Sequence, residues 1–207
     1  MCPECANVPR MVASPRCAVC GKHLEHEEDV KCHDCSGTKR HFECGAALYE
    51  YKSINDSIFA FKNRQRPEYG RFYGRKMAEY LGPTILKMKP DVIIPVPISA
   101  AKERSRGYNQ SEILAGYISE GTGIPVAANV VKRRENGKAQ KKLDRLQRQN
   151  NIKKAFHIAQ NDVKLKTVLV VDDVYTTGAT IDAVASVLKE AGAAKVCFVT
   201  LAIGHGM

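Results

Sequence analysis

Two acids and three threonines share one short stretch, VLVVDDVYTTGAT (168–180). Asp172 and Asp173 end a continuous apolar run, where carboxylates are costly unless they bind something. Acceptor oxygens of this kind suit the hydroxyls of a sugar. Thr176, Thr177, Gly178, Ala179 and Thr180 then make a small-residue turn that opens a helix. Its N–H groups, three hydroxyls and the helix dipole form a cradle sized for a phosphate monoester. Gly178 permits close backbone approach. Helix capping by Asp173 and Thr180 accounts for one acid and one threonine, not for the set. Carboxylates for a diol beside a phosphate cradle describe a ribose 5-phosphate.

Cysteines make the second constellation. Seven of the eight lie in the first 44 residues, and six form three CxxC pairs separated by eleven-residue spacers. The N-terminus has no apolar signal core, which points to a cytoplasmic protein whose thiols stay reduced. Two CxxC turns complete a tetrahedron around zinc. Cys17, Cys20, Cys32 and Cys35 are the favoured quartet, because Gly21 after Cys20 and Ser36–Gly37 after Cys35 let backbone N–H groups turn toward sulfur. Cys2/Cys5 could instead join Cys17/Cys20 or be half of a second site. Cys44, His23, His26, His33 and His41 are possible substitutes. Four thiolates leave no open coordination position, so such a zinc is structural. Cys197, in KVCFVTLAI, reads as a small buried apolar residue.

The formal charge is +10. Residues 132–154 carry ten basic and two acidic side chains, a net +8, and residues 62–76 carry six against one, a net +5. Nucleic acid or a small polyanion would suit such stretches. Phe61, Tyr69, Phe72 and Tyr73 are the nearest candidates for base stacking. The balance of 44% apolar and 26% charged residues is that of a globular chain, and no apolar run is long enough to span a bilayer.

The elements that must position these residues alternate. LYEY reads as a short strand, and Tyr73, Met77, Tyr80 and Leu81 fall on one helical face. DVIIPVPIS is a strand ending at prolines. Ile113, Leu114, Tyr117 and Ile118 line the next helix, which stops at Gly121–Thr122–Gly123, and PVAANVV follows as a strand. TVLVV (167–171) is a buried strand. Ile181, Val184, Ala185 and Leu188 make a helix face ended by Gly192, before the last strand KVCFVTLAI. Asn109 is either the cap of helix 110–119 or a ligand residue. Strand–helix alternation implies an α/β fold with a doubly wound, mostly parallel sheet, which binds ligands at the carboxyl ends of its strands.

VLVVDDVYTTGAT resembles the motif by which type I phosphoribosyltransferases bind 5-phosphoribosyl 1-pyrophosphate (PRPP). Further motifs narrow the resemblance to the ComF/GntX (competence protein F) family. They are CxxCG with a downstream CxxC, IPVPIS (94–99), RSRGYNQ (104–110), then Gln140, Leu143, Arg148, Asn151 and Ala155–Phe156. The resemblance implies a type I phosphoribosyltransferase-like domain over 46–207 behind a zinc ribbon or knuckle module over 1–45. It assigns the 5-phosphate to 176–180 and makes Asp172 and Asp173 the catalytic pair, holding ribose directly or through Mg²⁺. It places pyrophosphate on the turn Ile98–Lys102, with Ser99, Lys102, Arg104 and Arg106. Gln140, Lys141, Lys142 and Arg148 fall in its mobile loop over PRPP. Two functions follow. One is transfer of a phosphoribosyl group to a nitrogen nucleophile, linked to competence or nucleotide metabolism. The other is a non-catalytic accessory role with single-stranded DNA and recombination proteins.

Overall fold

The computed structural model describes residues 9–134, 155–160 and 163–204. A one-turn helix α1 (His33–Ser36) is followed by strand β1 (Cys44–Glu50), helices α2 (Tyr51–Asn63) and α3 (Glu68–Met88), and strand β2 (Val92–Pro95). Helices α4 (Ala100–Arg106) and α5 (Gln110–Thr122) come next, then β3 (Val131–Arg133), β4 (Phe156–Ile158), β5 (Thr167–Tyr175), α6 (Ala179–Glu190) and β6 (Lys195–Ile203).

Four strands make one parallel sheet in the order β1-β6-β5-β2. The central pair β5 and β6 is apolar without alternation because both faces are covered. Val168, Val170, Val196 and Phe198 pack on one side against Ile181, Val184, Ala185 and Leu188 of α6. Leu169, Val171, Cys197 and Val199 pack on the other against Met77, Leu81 and Ile85 of α3 and Leu114 and Ile118 of α5. The doubly wound arrangement is therefore present.

Several elements differ from the sequence reading. Helix α2 was not anticipated, although Ile54, Ile58 and Phe61 bury one face at i, i+4, i+7. Tyr80 is 45% exposed, its ring under Lys76 Nζ at 5.1 Å, so it leaves the inner face of α3. PVAANVV is not one strand. Its start touches the edge of β2, with Ile93 N donating to Pro125 O at 2.8 Å, and its end pairs as β3 with β4 in a separate antiparallel two-stranded sheet. Phe61 and Tyr73 are 0% and 2% exposed and cannot stack on bases. Among the described residues, no helix is long and apolar enough to cross a membrane.

The cysteine module is seated on the body. Residues 10–12 run antiparallel along β1, with Val12 N donating to Leu48 O (3.0 Å) and Glu50 N to Arg10 O (2.8 Å). That covers an otherwise open sheet edge. The four cysteines belong to the same apolar cluster as Phe42, Val170, Tyr175 and Phe198. Strand β1 begins at Cys44, so the division expected after residue 45 falls inside it.

Candidate functional site

Strand β5 carries Asp172 and Asp173 to its carboxyl end, beside the end of β2. The two carboxylates have separate partners. Asp172 Oδ1 accepts from Ser111 Oγ at 3.0 Å and from the Asp173 amide at 2.9 Å. Asp173 Oδ1 pairs with Lys62 Nζ at 2.9 Å, and its side chain is 10% exposed. Burial, and then the charge of Asp173, push the Asp172 carboxyl up to about 7. One of the pair thus changes charge near neutrality, a property of ligand-handling carboxylates.

Ser111 reaches Asp172 because α5 starts beside β2. Asn109 caps α5, its Oδ1 accepting from Ser111 N at 3.1 Å. Its amide donates to Val96 O at 3.1 Å and Glu112 Oε1 at 3.2 Å, tying the helix to the end of β2. Asn109 is 3% exposed, so the cap is its role.

Beyond Tyr175 the chain turns into α6. Thr176 and Thr177 are exposed, and Gly178 is buried with φ +78°. A Cβ at Gly178 would lie 2.7 Å from Tyr175 Cζ, so only glycine fits over that ring. No side chain caps α6 at Gly178. One long bond, Ala179 N to Thr177 Oγ1 at 3.4 Å, touches its first amide. Thr180 lies in the first turn, half-buried. An uncapped helix start with hydroxyls beside it has the chemistry to receive an anion.

The turn after β2 leads into α4. Ser99 caps it, accepting from Lys102 N at 3.4 Å, and Ile98 beside it is half-buried. A cavity of about 350 Å³ opens between α4 and the end of α2, lined by Lys62, Asn63, Gln65, Lys102, Ser105 and Arg106. Burial, then the like charges of Arg133, Arg106 and Lys62, hold the Lys102 ammonium below its usual range. Arg104 is exposed and does not line this cavity. Gln140, Lys141, Lys142 and Arg148 lie outside the described residues, as do Cys2 and Cys5.

The sulfurs of Cys17, Cys20, Cys32 and Cys35 lie within 4.8 Å of one another, with Cys20 and Cys32 3.6 Å apart. Zn–S bonds of about 2.3 Å set tetrahedral S···S edges near ~3.8 Å, so the quartet has the spacing of a four-thiolate metal site. Gly21, φ +73°, lets the first knuckle press on β1, where a Cβ would come within 2.7 Å of Gly45 O. Lys22 Nζ bridges the knuckles to Asp34 at 2.7 Å. Three of the substitutes considered are engaged elsewhere: His23 Nδ1 lies 3.2 Å from Pro15 O, Cys44 faces Cys197 across β1 and β6 at 3.2 Å, and His41 Nδ1 lies 3.2 Å from Asp182 Oδ2.

Sequence reasoning missed the residues that reach the site from a distance: Lys62, Ser111, and Arg40 and His41 from the cysteine module. Arg40 Nη2 donates to Thr177 O at 3.0 Å. His41 N donates to Asp182 Oδ1 at 2.7 Å, and its ring Nδ1 lies 3.2 Å from Oδ2. No local signal marks these partners.

A family model described as phosphoribosyl transferase domain matches residues 75–206. Competence protein F of Haemophilus influenzae (strain ATCC 51907 / DSM 11121 / KW20 / Rd) is 28% identical over 205 residues, 93% of this chain and 86% of the relative. Competence protein ComFC of Bacillus subtilis (strain 168) is 26% identical over 212 residues, 97% and 83%. DNA utilization protein YhgH of Shigella flexneri is 27% identical over 198 residues, 87% and 86%. The resemblance to competence protein F drawn from the motifs is thus met over most of the chain.

Proposed function

The chain belongs to the phosphoribosyl transferase domain family, and from that premise we propose that it binds PRPP or a close phosphoribosyl relative at the carboxyl ends of β2 and β5. The observation that carries this reading is the junction of Asp172–Asp173 with the uncapped turn at Gly178. The 5-phosphate rests on Thr176–Thr180, and the acids take the ribose hydroxyls. Pyrophosphate lies toward Ser99 and the cations Lys102 and Arg106, whose cavity has no acidic side chain in its lining among the described residues.

Two adjacent carboxylates with ligand oxygens between them suit Mg²⁺, a hard cation that uses few protein ligands. Bound there, Mg²⁺ would neutralise charge on pyrophosphate oxygens. This chain's own residues do the rest. Asp172 and Asp173 stabilise positive charge growing on ribose as the anomeric C–O bond breaks, and Lys102 and Arg106 stabilise the departing pyrophosphate. The acceptor is a nitrogen nucleophile. Zinc is the metal we assign to the thiol quartet.

A second reading, single-stranded DNA handling in uptake or competence, is favoured by the relatives' names and by exposed aromatic rings in or near a basic stretch. Phe59 and Phe72 are 54% and 40% exposed, Arg64 lies 5.7 Å over the Phe59 ring, and Phe72 falls within the basic stretch 62–76.

Calorimetry with PRPP and Mg²⁺, followed by pyrophosphate release across a panel of purine and pyrimidine bases, tests the first reading. Binding that Asp173→Asn removes is expected; no heat with the metal-replete protein ends it. Oligonucleotide binding that falls steeply with salt supports the second.

A further inference from the structure

The phosphate turn is held from outside the domain match. Arg40 and His41 precede residue 75, where that match begins. They grip the turn at both ends, Arg40 on the Thr177 carbonyl and His41 on both oxygens of Asp182. Asp182 lies in the first turn of α6. Its charge there suits the helix dipole but would repel an anion on the same turn. Tied to the His41 amide and ring, the carboxylate is kept in place.

Arg40 and His41 have no regular structure of their own, since residues 37–43 lie between α1 and β1. Two anchors fix this segment. At one end Cys35 is a member of the quartet, five residues before Arg40. At the other, Phe42 packs edge-on to Phe198 at 4.9 Å and to Tyr175 at 6.4 Å. The first anchor packs on the body's apolar cluster but brings little apolar surface of its own. Between residues 9 and 36 the buried apolar side chains are Val12, Leu24 and the cysteines themselves. Modules with so small a core hold their shape through a metal.

A second route joins the same two places. The Tyr175 ring stacks on Phe198 at 5.0 Å and lies directly under Gly178. Its hydroxyl is buried and has no hydrogen-bond partner among the described residues. One aromatic side chain thus packs in the same apolar cluster as the thiol quartet and also lies against the phosphate turn.

We propose that the metal-loaded cysteine module is a brace for the phosphate turn, so that metal occupancy sets the order of residues 176–182 and, through it, affinity for a phosphate monoester. The brace itself depends only on contacts within the chain. Its effect on affinity rests on the phosphoribosyl reading above. Arg40 and His41 are positioning residues in this scheme. Because coupling between two sites is reciprocal, a bound phosphate must tighten zinc by the factor by which zinc tightens phosphate.

Hydrogen exchange on the full zinc-loaded chain tests the brace. Chelation is expected to speed amide exchange in 176–182 by about tenfold or more while α5 peptides stay unchanged. The double variant Arg40→Gln, His41→Ala should keep one zinc per chain, exchange rapidly in 176–182 from the start, and show no further change on chelation. Unchanged exchange in 176–182 after zinc removal overturns the brace. So does equal deprotection of α5, which signals global unfolding instead. A ribose 5-phosphate titration of both forms then separates the two ideas. Tighter binding to the zinc form, matched by tighter zinc retention against a chelator, supports the coupling. Equal affinity in both forms refutes the coupling. No binding to either form, with the exchange result intact, removes the phosphoribosyl reading and leaves the brace.

Discussion

Asp172→Asn should stabilise the ligand-free protein above pH 7 and abolish its phosphoribosyl binding. Asp172 Oδ1 accepts from Ser111 Oγ and from the Asp173 amide. An amide oxygen keeps both bonds, so the substitution removes a charge and little else. Burial and the Asp173 charge raise this carboxyl from 3.8 to about 7. That difference is worth about 4 kcal/mol at most, taking ~1.4 kcal/mol per decade of proton affinity. Water on the open side of the residue brings the recoverable part to about 2 kcal/mol. The sign follows from proton linkage. Between about pH 4 and 7 the folded state holds a proton that the unfolded chain has lost, so stability falls as pH rises through that window and levels above it. The variant has no such titration. Its advantage is therefore absent near pH 4 and complete above pH 7. For a chain of this size, ~2 kcal/mol corresponds to roughly 4–8 °C in Tm. Thermal unfolding of both proteins at pH 5, 6, 7 and 8, without ligand, measures it. A variant less stable than its parent at pH 8, or one offset equally at pH 5 and pH 8, refutes the reasoning.

Gly178→Ala forces a left-handed φ on a residue with a Cβ and drives that Cβ into the Tyr175 ring. A loss of about 2–4 kcal/mol is expected in urea unfolding, with phosphate binding lost as well; a fully stable variant would show that the turn can move aside. Lys62→Met leaves Asp173 without its counter-ion and removes a charge that holds Asp172 down. It should cost about 1–3 kcal/mol, less than a fully buried pair because Lys62 keeps 27% exposure. It should also move the pH midpoint of ligand binding upward, which calorimetry from pH 6 to 9 reads; an unmoved midpoint argues against Asp172 as the titrating group.

Elements whose burial is complete were readable from their residues. β5 and β6 are apolar at consecutive positions, and α6 shows Ile181, Val184, Ala185 and Leu188 at helical spacing, all 1% exposed or less. The acid pair, the threonine turn and the CxxC spacing were readable because each acts over a few residues. What joins them was not. Ser111 is 61 residues from Asp172, and Arg40 is 137 from Thr177. Periodicity tells which face of an element is buried, not what it meets. Phe61 and Tyr73 lie beside or within a basic stretch, which suggests stacking on bases, yet the helical spacing that buries them is equally present. PVAANVV has the composition of a strand. Its two ends find different neighbours, the β2 edge and β4, a choice made by tertiary geometry.

The strand order bears on how the protein is made. β6 sits between β1 and β5, yet it is synthesised after both. Cys44 must wait for Cys197, 153 residues later, before β1 gains its neighbour. At ribosomal rates that interval is roughly 8–30 s. Throughout it β1 lacks its neighbour, while the thiols of Cys17 to Cys35 are already made. Early capture of a metal ion by Cys17 to Cys35 would shelter the sulfurs while the ribosome finishes the strand that completes the sheet.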